Sequence, residues 1–205
     1  MAGLVPAIHA VPPRKAPDLR HGMDARIKSG HDGMRRPFIL MDSQAMRIVV
    51  LGVGNILLSD EGIGVHAVNR LVELYDLPEE VEVIDGGTSG MDCLDQVSEA
   101  DHLVIADCMR SKKEPGTITR LTGDQIPAFF KTRISPHQVG LSDMLGALNF
   151  HGLMPKNIVL FGVEPLSFDL SMEPTPTVGA RLAELVELLA GELAEIGIAL
   201  RKKAA

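Results

Sequence analysis

The amino-acid sequence predicts an α/β protein with three layers, in which a mixed, mostly parallel five-stranded sheet lies between helices. Short aliphatic runs alternate along the chain with segments of helical periodicity. Hydrophobic residues make up 45% of the chain, whereas aromatic residues make up only 3% and Trp is absent. The core must therefore consist mainly of Leu, Ile, Val, Ala and Met, as is typical of buried parallel strands.

The first three predicted strands lie in the first half of the chain, and each ends near glycine or a carboxylate. The apolar positions between the first two strands recur at helical spacing, and this helix must end before Pro78. The predicted order is strand "RIVVLGV" (47–53), a helix from Ile63 to Tyr75, strand "VEVID" (81–85), a short helix near 90–99 and strand "HLVIAD" (102–107).

The second half adds two strands and two helices. The fourth strand follows the third too closely for a helical crossover, so one strand of the sheet is expected to run antiparallel. Thr175 or Thr177 can cap the final helix, and a basic cluster at 201–203 suits the negative end of its dipole. The predicted elements are strand "TITRL" (117–121), helix 139–150, strand "NIVLFGV" (157–163) and a long helix over 175–200.

Residues 1–45 differ from the rest of the chain in pattern and in charge. They show no sustained period and are expected to be disordered, and "MDARIKSGHDG" resembles translated repeat sequence found between bacterial genes. An extension from a start codon placed too early, with Met46 as the working start, is therefore a hypothesis. Residues 46–205 are expected to form a single domain.

The charge of the chain restricts its partners. Residues 1–45 carry 7 Lys/Arg and 4 Asp/Glu. The rest of the chain therefore carries 13 Lys/Arg and 23 Asp/Glu, a net charge of −10. Such an acidic body argues against nucleic acid and suits a cation, a basic peptide or simply solubility. The two cysteines are not spaced as a metal-binding pair, which indicates a protein of the reducing cytoplasm. No apolar run is long enough to predict a membrane span.

Three candidate site residues follow strands or precede a helix. Glu61, preceded by Asp60, follows the first strand, Asp107 closes the third, and His137 lies in the loop "ISPHQ". If the first and third strands are neighbours, the two carboxylates share one edge of the sheet. Two carboxylates and one imidazole suit a divalent first-row metal. Each residue also has a simpler interpretation without a metal. A carboxylate at the start of a helix interacts favourably with the helix dipole, and a histidine in a loop is usually just solvated.

The glycines of "LGVGNILLSDEG" raise the alternative of a dinucleotide site. The fingerprint requires a third glycine where Leu57 stands, and Asp60 and Glu61 would repel a pyrophosphate. A second glycine turn, "DGGTSG", follows the strand that ends at Asp85. That turn is equally consistent with a tight strand-to-helix connection and with a substrate contact.

Five segments together resemble the hydrogenase maturation endopeptidases, which remove a C-terminal peptide from the large subunit of NiFe hydrogenases. The resemblance covers about residues 46–200, in the order expected of that family. The segments are "MRIVVLGVGNILLSDEGIGV", "IDGGTSGMDCL", "HLVIADCMRSKKEPGT", "ISPHQVGLSDML" and "PTPTV".

The resemblance implies a phosphorylase/hydrolase-like fold, a monomer and a substrate that already contains nickel. By motif match, Glu61, Asp107 and His137 would contact that nickel and act in catalysis, and the free protein would bind the metal weakly. The turn formed by Asp85, Gly86, Gly87 and Thr88 would contribute to substrate recognition. Asp107 as general base would make the enzyme an aspartyl protease. The alternatives are a non-proteolytic, nickel-dependent chaperone that binds the precursor and, less favoured, a nucleotide-binding oxidoreductase.

Overall fold

A computed structural model of the protein describes residues 46–126 and 136–204, and the side chains of residues 136–139 lie outside this description. The predicted N-terminal extension, residues 1–45, also lies outside the described residues. The proposed boundary before Met46 therefore stays a prediction.

The described residues form a five-stranded sheet, a two-stranded ribbon and helices that connect them. The strands are β1 (Ile48–Gly52), β2 (Tyr75–Asp76), β3 (Val81–Asp85), β4 (His102–Cys108), β5 (Ile118–Thr122), β6 (Asn157–Val163) and β7 (Arg201–Lys202). The α-helices are α1 (Ile63–Leu74), α2 (Leu94–Val97), α3 (Pro136–His151), α4 (Pro176–Gly179) and α5 (Leu182–Glu195). Short 3-10 helices at Ser59–Gly62 and Gly90–Cys93 precede α1 and α2.

The main sheet has the strand order β3-β1-β4-β6-β5. All its pairs are parallel except β5 with β6, which confirms the predicted mixed sheet and its antiparallel strand. At the end of β1, Gly52 pairs with Asp85 on one side and with Ala106 on the other. The first strand thus lies between the two strands that carry candidate site residues.

The sheet is covered on both faces, because successive side chains of a strand point to opposite sides. One face of β1, represented by Val50, packs with α1 and α5, and the other, represented by Leu51, packs with α2 and α3. β1 is consequently buried along its whole length. This arrangement confirms the three-layer prediction, and no helix among the described residues is both long and apolar enough to cross a membrane.

The prediction of one long final helix is wrong. Thr175 does cap a helix, since its hydroxyl accepts a hydrogen bond from the Val178 amide, but that helix, α4, ends at Gly179. The following helix, α5, ends at Glu195, and Gly197 then adopts a left-handed conformation (φ 96°) that ends helices readily.

The basic residues near the C-terminus therefore do not extend the final helix. Arg201 and Lys202 instead pair with Asp76 and Tyr75 as the β2–β7 ribbon. The Arg201 guanidinium also lies 2.8 Å from the Asp76 carboxylate. These residues therefore attach the end of the chain to the strand that follows α1 and do not complement a helix dipole.

Candidate active site

The segment that carries Glu61 is pressed against the ends of β1 and β4 by close backbone contacts. Gly54 has φ 142°, and a Cβ there would lie 1.9 Å from the carbonyl oxygen of Glu61. A Cβ on Gly64, at the start of α1, would lie 2.2 Å from the carbonyl oxygen of Ala106 in β4. The glycines at these two positions therefore bring Glu61 to the strand end that carries Asp107.

Asp107 and Glu61 form a buried carboxylate pair at the carboxyl edge of the sheet. Asp107 is 1% exposed and Glu61 is 6% exposed. Burial raises the pKa of Asp107 well above its usual range, and the negative charge of Glu61 raises it further. A hydrogen bond from the Cys108 amide opposes these effects. Two buried carboxylates of this kind are typical of functional sites, where like charges hold a proton or attract a cation.

The turn after β3 is joined to the loop after β1. The Gly86 amide donates to the Gly52 carbonyl, and the Gly54 amide donates to the Gly87 carbonyl, each at 2.8 Å. The Asp85 carboxylate accepts from the Gly87 amide at 3.0 Å, so its side chain shapes the turn. The structure thus places the predicted recognition turn, which includes Thr88, beside the loop that leads to Glu61.

The start of α3 reaches the same edge of the sheet. A Cβ on Gly90 would lie 2.7 Å from the carbonyl oxygen of Gly140, so α3 and the turn after β3 are in direct backbone contact. His137 is the second residue of α3 and not a loop residue as predicted, because Pro136 opens the helix. Its side chain lies outside the description, so the meeting of His137 with the two carboxylates stays a prediction. Among the side chains that are described, no group of three or more His, Cys, Asp or Glu is arranged to hold a metal ion.

Asp60 has a different role from its neighbour Glu61. It is fully buried, and its carboxylate accepts hydrogen bonds from the amides of Leu166, Ser167 and Thr175 and from the Thr175 hydroxyl, over 2.7–3.0 Å. Neither the 3-10 helix nor α1 begins with a side-chain cap. Asp60 therefore anchors a distant loop rather than capping the helix.

Glu164 is a structural residue that sequence reasoning missed. It is 7% exposed, and its Oε2 accepts from the Ser111 amide and hydroxyl at 2.5 Å and from the Lys113 amide at 3.3 Å. These bonds hold the loop that follows Asp107. No signal in the sequence pairs these residues, because 53 positions separate Glu164 from Ser111.

A comparison with known protein families shows the family to which the chain belongs. The family model described as hydrogenase maturation protease matches residues 65–192, more than half of the chain. The chain belongs to the hydrogenase maturation protease family. The match begins just after Glu61, and it includes Asp107 and the start of α3.

Individual members of the hydrogenase maturation protease family are similar over most of the chain. The hydrogenase 2 maturation protease of Escherichia coli K12 is 49% identical over 154 residues, which are 75% of this chain and 94% of that protein. The hydrogenase expression/formation protein HupD of Bradyrhizobium diazoefficiens is 37% identical over 165 residues, covering 80% of this chain and 86% of that protein.

Solved structures of hydrogenase maturation proteases share the fold. The hydrogenase maturating endopeptidase HybD from E. coli superposes with a TM-score of 0.74 at 47% identity, covering 77% of this chain and 98% of that chain. The HybD protease from Thermococcus kodakarensis gives a TM-score of 0.61 at 29% identity, covering 73% and 99%. Together with the buried carboxylates at the helix start, this family membership argues against the nucleotide-binding oxidoreductase alternative.

Proposed function

We propose that this protein is an endopeptidase that removes the C-terminal extension of a NiFe-hydrogenase large-subunit precursor after nickel insertion. The proposal includes a cytoplasmic location and action as a monomer. Membership in the hydrogenase maturation protease family supports the reaction class. The observation that carries the proposal is the buried pair of Asp107 and Glu61 at the carboxyl edge of the sheet, where α/β proteins bind their ligands.

The nickel in the precursor is the recognition signal in this proposal. Glu61, Asp107 and His137 contact the metal from the protease side, and two carboxylates with one imidazole suit a borderline divalent ion. A cation also relieves the repulsion between Glu61 and Asp107 that helps to raise the Asp107 pKa. Since the precursor supplies the remaining ligands, the free protease binds nickel weakly, and a precursor without nickel is not cleaved.

The alternative within this proposal is that Asp107 serves instead as general base. A general base works best when its pKa lies near the working pH, and burial moves the pKa of Asp107 in that direction. Asp107 would take the proton of a water that attacks the scissile carbonyl, and would then return it to the leaving amine. The nickel of the substrate can polarise the same carbonyl. As a base Asp107 must be deprotonated when the precursor binds.

The turn formed by Asp85, Gly86, Gly87 and Thr88 contacts the precursor in this proposal. A Cβ added to Gly87 would meet no atom within 4 Å, so this part of the turn faces open space. Its hydrogen bond to Gly54 ties it to the loop that precedes Glu61. Both observations support a contact between this turn and a polypeptide whose scissile bond lies at the carboxylate pair.

The test is incubation with purified large-subunit precursor, with and without nickel, followed by intact mass measurement. A defined C-terminal loss is expected only for the nickel-loaded precursor. Asp107→Asn and His137→Ala should abolish this loss while the protein stays folded. Asp143→Asn and His151→Ala are matched controls, because both residues are exposed on α3 and should leave processing unchanged.

Two results would contradict the proposal in different ways. Normal trimming by Asp107→Asn and His137→Ala would exclude these residues from the reaction. Tight binding of nickel-loaded precursor with no change in its mass would identify the non-proteolytic, precursor-binding chaperone instead.

A further inference from the structure

Large aliphatic side chains are exposed on two loops beside the candidate active site. Leu170 is 85% exposed, and the other members are between 37% and 61% exposed. We call this set the apolar rim, and it consists of Ile56, Leu57, Leu166, Leu170 and Met172. A group of exposed aliphatic side chains on neighbouring loops is unfavourable in water, and such surfaces usually mark a binding site.

The two loops of the apolar rim are joined to each other by the backbone. The Ser171 amide donates to the Leu57 carbonyl at 3.0 Å, and the Ser59 amide donates to the Ser171 carbonyl at 2.7 Å. These bonds form a parallel bridge between Leu58 and Ser171. Leu57 and Leu170 therefore lie on adjoining stretches of chain and form one surface.

The apolar rim is also continuous with the segment that carries Glu61. Asp60, the residue before Glu61, accepts hydrogen bonds from the amides of Leu166 and Ser167 and from Thr175. Its full burial makes these bonds costly to break. A polypeptide bound on the rim is consequently held at a fixed position relative to the carboxylate pair.

The negative charge around the rim indicates that its partner carries positive charges. Asp169 and Glu173 are exposed on the same loop, and residues 46–205 carry a net charge of −10. The Arg110 guanidinium lies 4.3 Å from the Phe168 ring centroid and is thus engaged by the loop itself. Aliphatic surface with exposed carboxylates fits a segment that has aliphatic side chains and positive charges.

We propose that the apolar rim binds the segment of the hydrogenase precursor that leads to the scissile bond, and that this segment has aliphatic and basic side chains. This inference rests on the proposed function, since it names where the substrate of that reaction is held. Burial of the aliphatic side chains supplies affinity. The hydrogen bonds to Asp60 fix the position of the bound segment relative to Glu61. The rim thus determines which precursor is accepted, separately from the nickel signal.

The test measures KM and kcat for nickel-loaded precursor by intact mass. The double variant Leu166→Ser/Leu170→Ser should raise KM at least tenfold and leave kcat unchanged, because both side chains are exposed and neither belongs to the carboxylate pair. Glu173→Lys should raise KM as well, and this effect should shrink at high salt. The matched control is Phe150→Ser, because Phe150 is 86% exposed and lies near the end of α3, towards the edge where β6 begins.

The outcomes separate this inference from the proposed function. If the wild-type protein trims the precursor and the Leu166→Ser/Leu170→Ser variant keeps its KM within twofold, the rim is not the docking surface although the function stands. A fall in kcat with KM unchanged, in a variant with wild-type melting temperature, also overturns the inference. A wild-type dimer that Leu170→Ser dissociates would show that a second copy of this chain covers the rim. Absence of trimming by the wild-type protein overturns the proposed function itself.

Discussion

Gly64→Ala should reverse the usual effect of replacing glycine by alanine within a helix. In an open helix position this replacement stabilises a protein by about 0.5–1 kcal/mol, because alanine loses less conformational entropy on folding. Gly64 is the second residue of α1, and its neighbours are backbone atoms of the sheet. Even a single added methyl group at this position therefore meets the backbone of neighbouring residues.

The size of the effect follows from the contacts that a methyl group would make. The Cβ would lie 2.2 Å from the carbonyl oxygen of Ala106 and 2.4 Å from that of Val53, whereas ordinary contacts are 3.4–4 Å. Neither oxygen can rotate away, so α1 must withdraw from the sheet by roughly 1 Å. Overpacking of this kind costs about 1–3 kcal/mol. For a domain of this size each kcal/mol lowers the melting temperature by about 2–4 °C.

The same displacement should affect the reaction more than the stability. Glu61 lies in the 3-10 helix that leads directly into α1, so it moves with Gly64 away from Asp107. A misplacement of about 1 Å at a catalytic site can cost roughly a hundredfold in rate. Gly64→Ala should therefore lower kcat/KM for nickel-loaded precursor by about that factor while the protein remains folded at 25 °C.

The assay is thermal unfolding combined with precursor processing, and Gly191→Ala is the matched control. Gly191 lies within α5, where a Cβ would meet no atom within 4 Å. Gly191→Ala should raise the melting temperature and leave processing unchanged. A Gly64→Ala variant that is as stable as Gly191→Ala, or that processes precursor at the wild-type rate, would contradict this prediction.

Three further predictions concern buried polar groups. Asp107→Asn should raise the melting temperature of the free protein near pH 7, because the raised pKa of Asp107 makes its ionised form unfavourable in the fold, and this gain should vanish as the pH falls below the pKa of the carboxyl group in the unfolded chain. Asp60→Asn should cost about 3 kcal/mol in urea unfolding, because an amide cannot replace a carboxylate that accepts three backbone N–H bonds; an unchanged midpoint would contradict this. Cys93 and Cys108 should resist iodoacetamide at pH 8 until the protein unfolds, since burial raises the pKa of each thiol, and rapid native labelling would show that one is accessible.

Much of the fold could be predicted because its signals are local. Aliphatic runs at β1 and β4 and the spacing of apolar residues in α1 are properties of neighbouring residues, and so is the short connection that makes β5 antiparallel. The β2–β7 ribbon was missed because two-residue strands have no measurable period. The final helix was predicted to extend too far because its end depends on Gly197, whose conformation a periodicity count does not consider.

From the sequence alone follow the α/β/α fold and the positions of Glu61 and Asp107 after the first and third long strands, whereas the pairing of these strands, β1 with β4, is seen only in the structure. The sequence also carries the family resemblance that membership in the hydrogenase maturation protease family confirms. The different roles of two adjacent residues, Asp60 as the anchor of a loop and Glu61 as a member of the carboxylate pair, become visible only in the folded protein. The reason is physical: the partners of Asp60 begin 106 positions away, and only folding brings their amides to it.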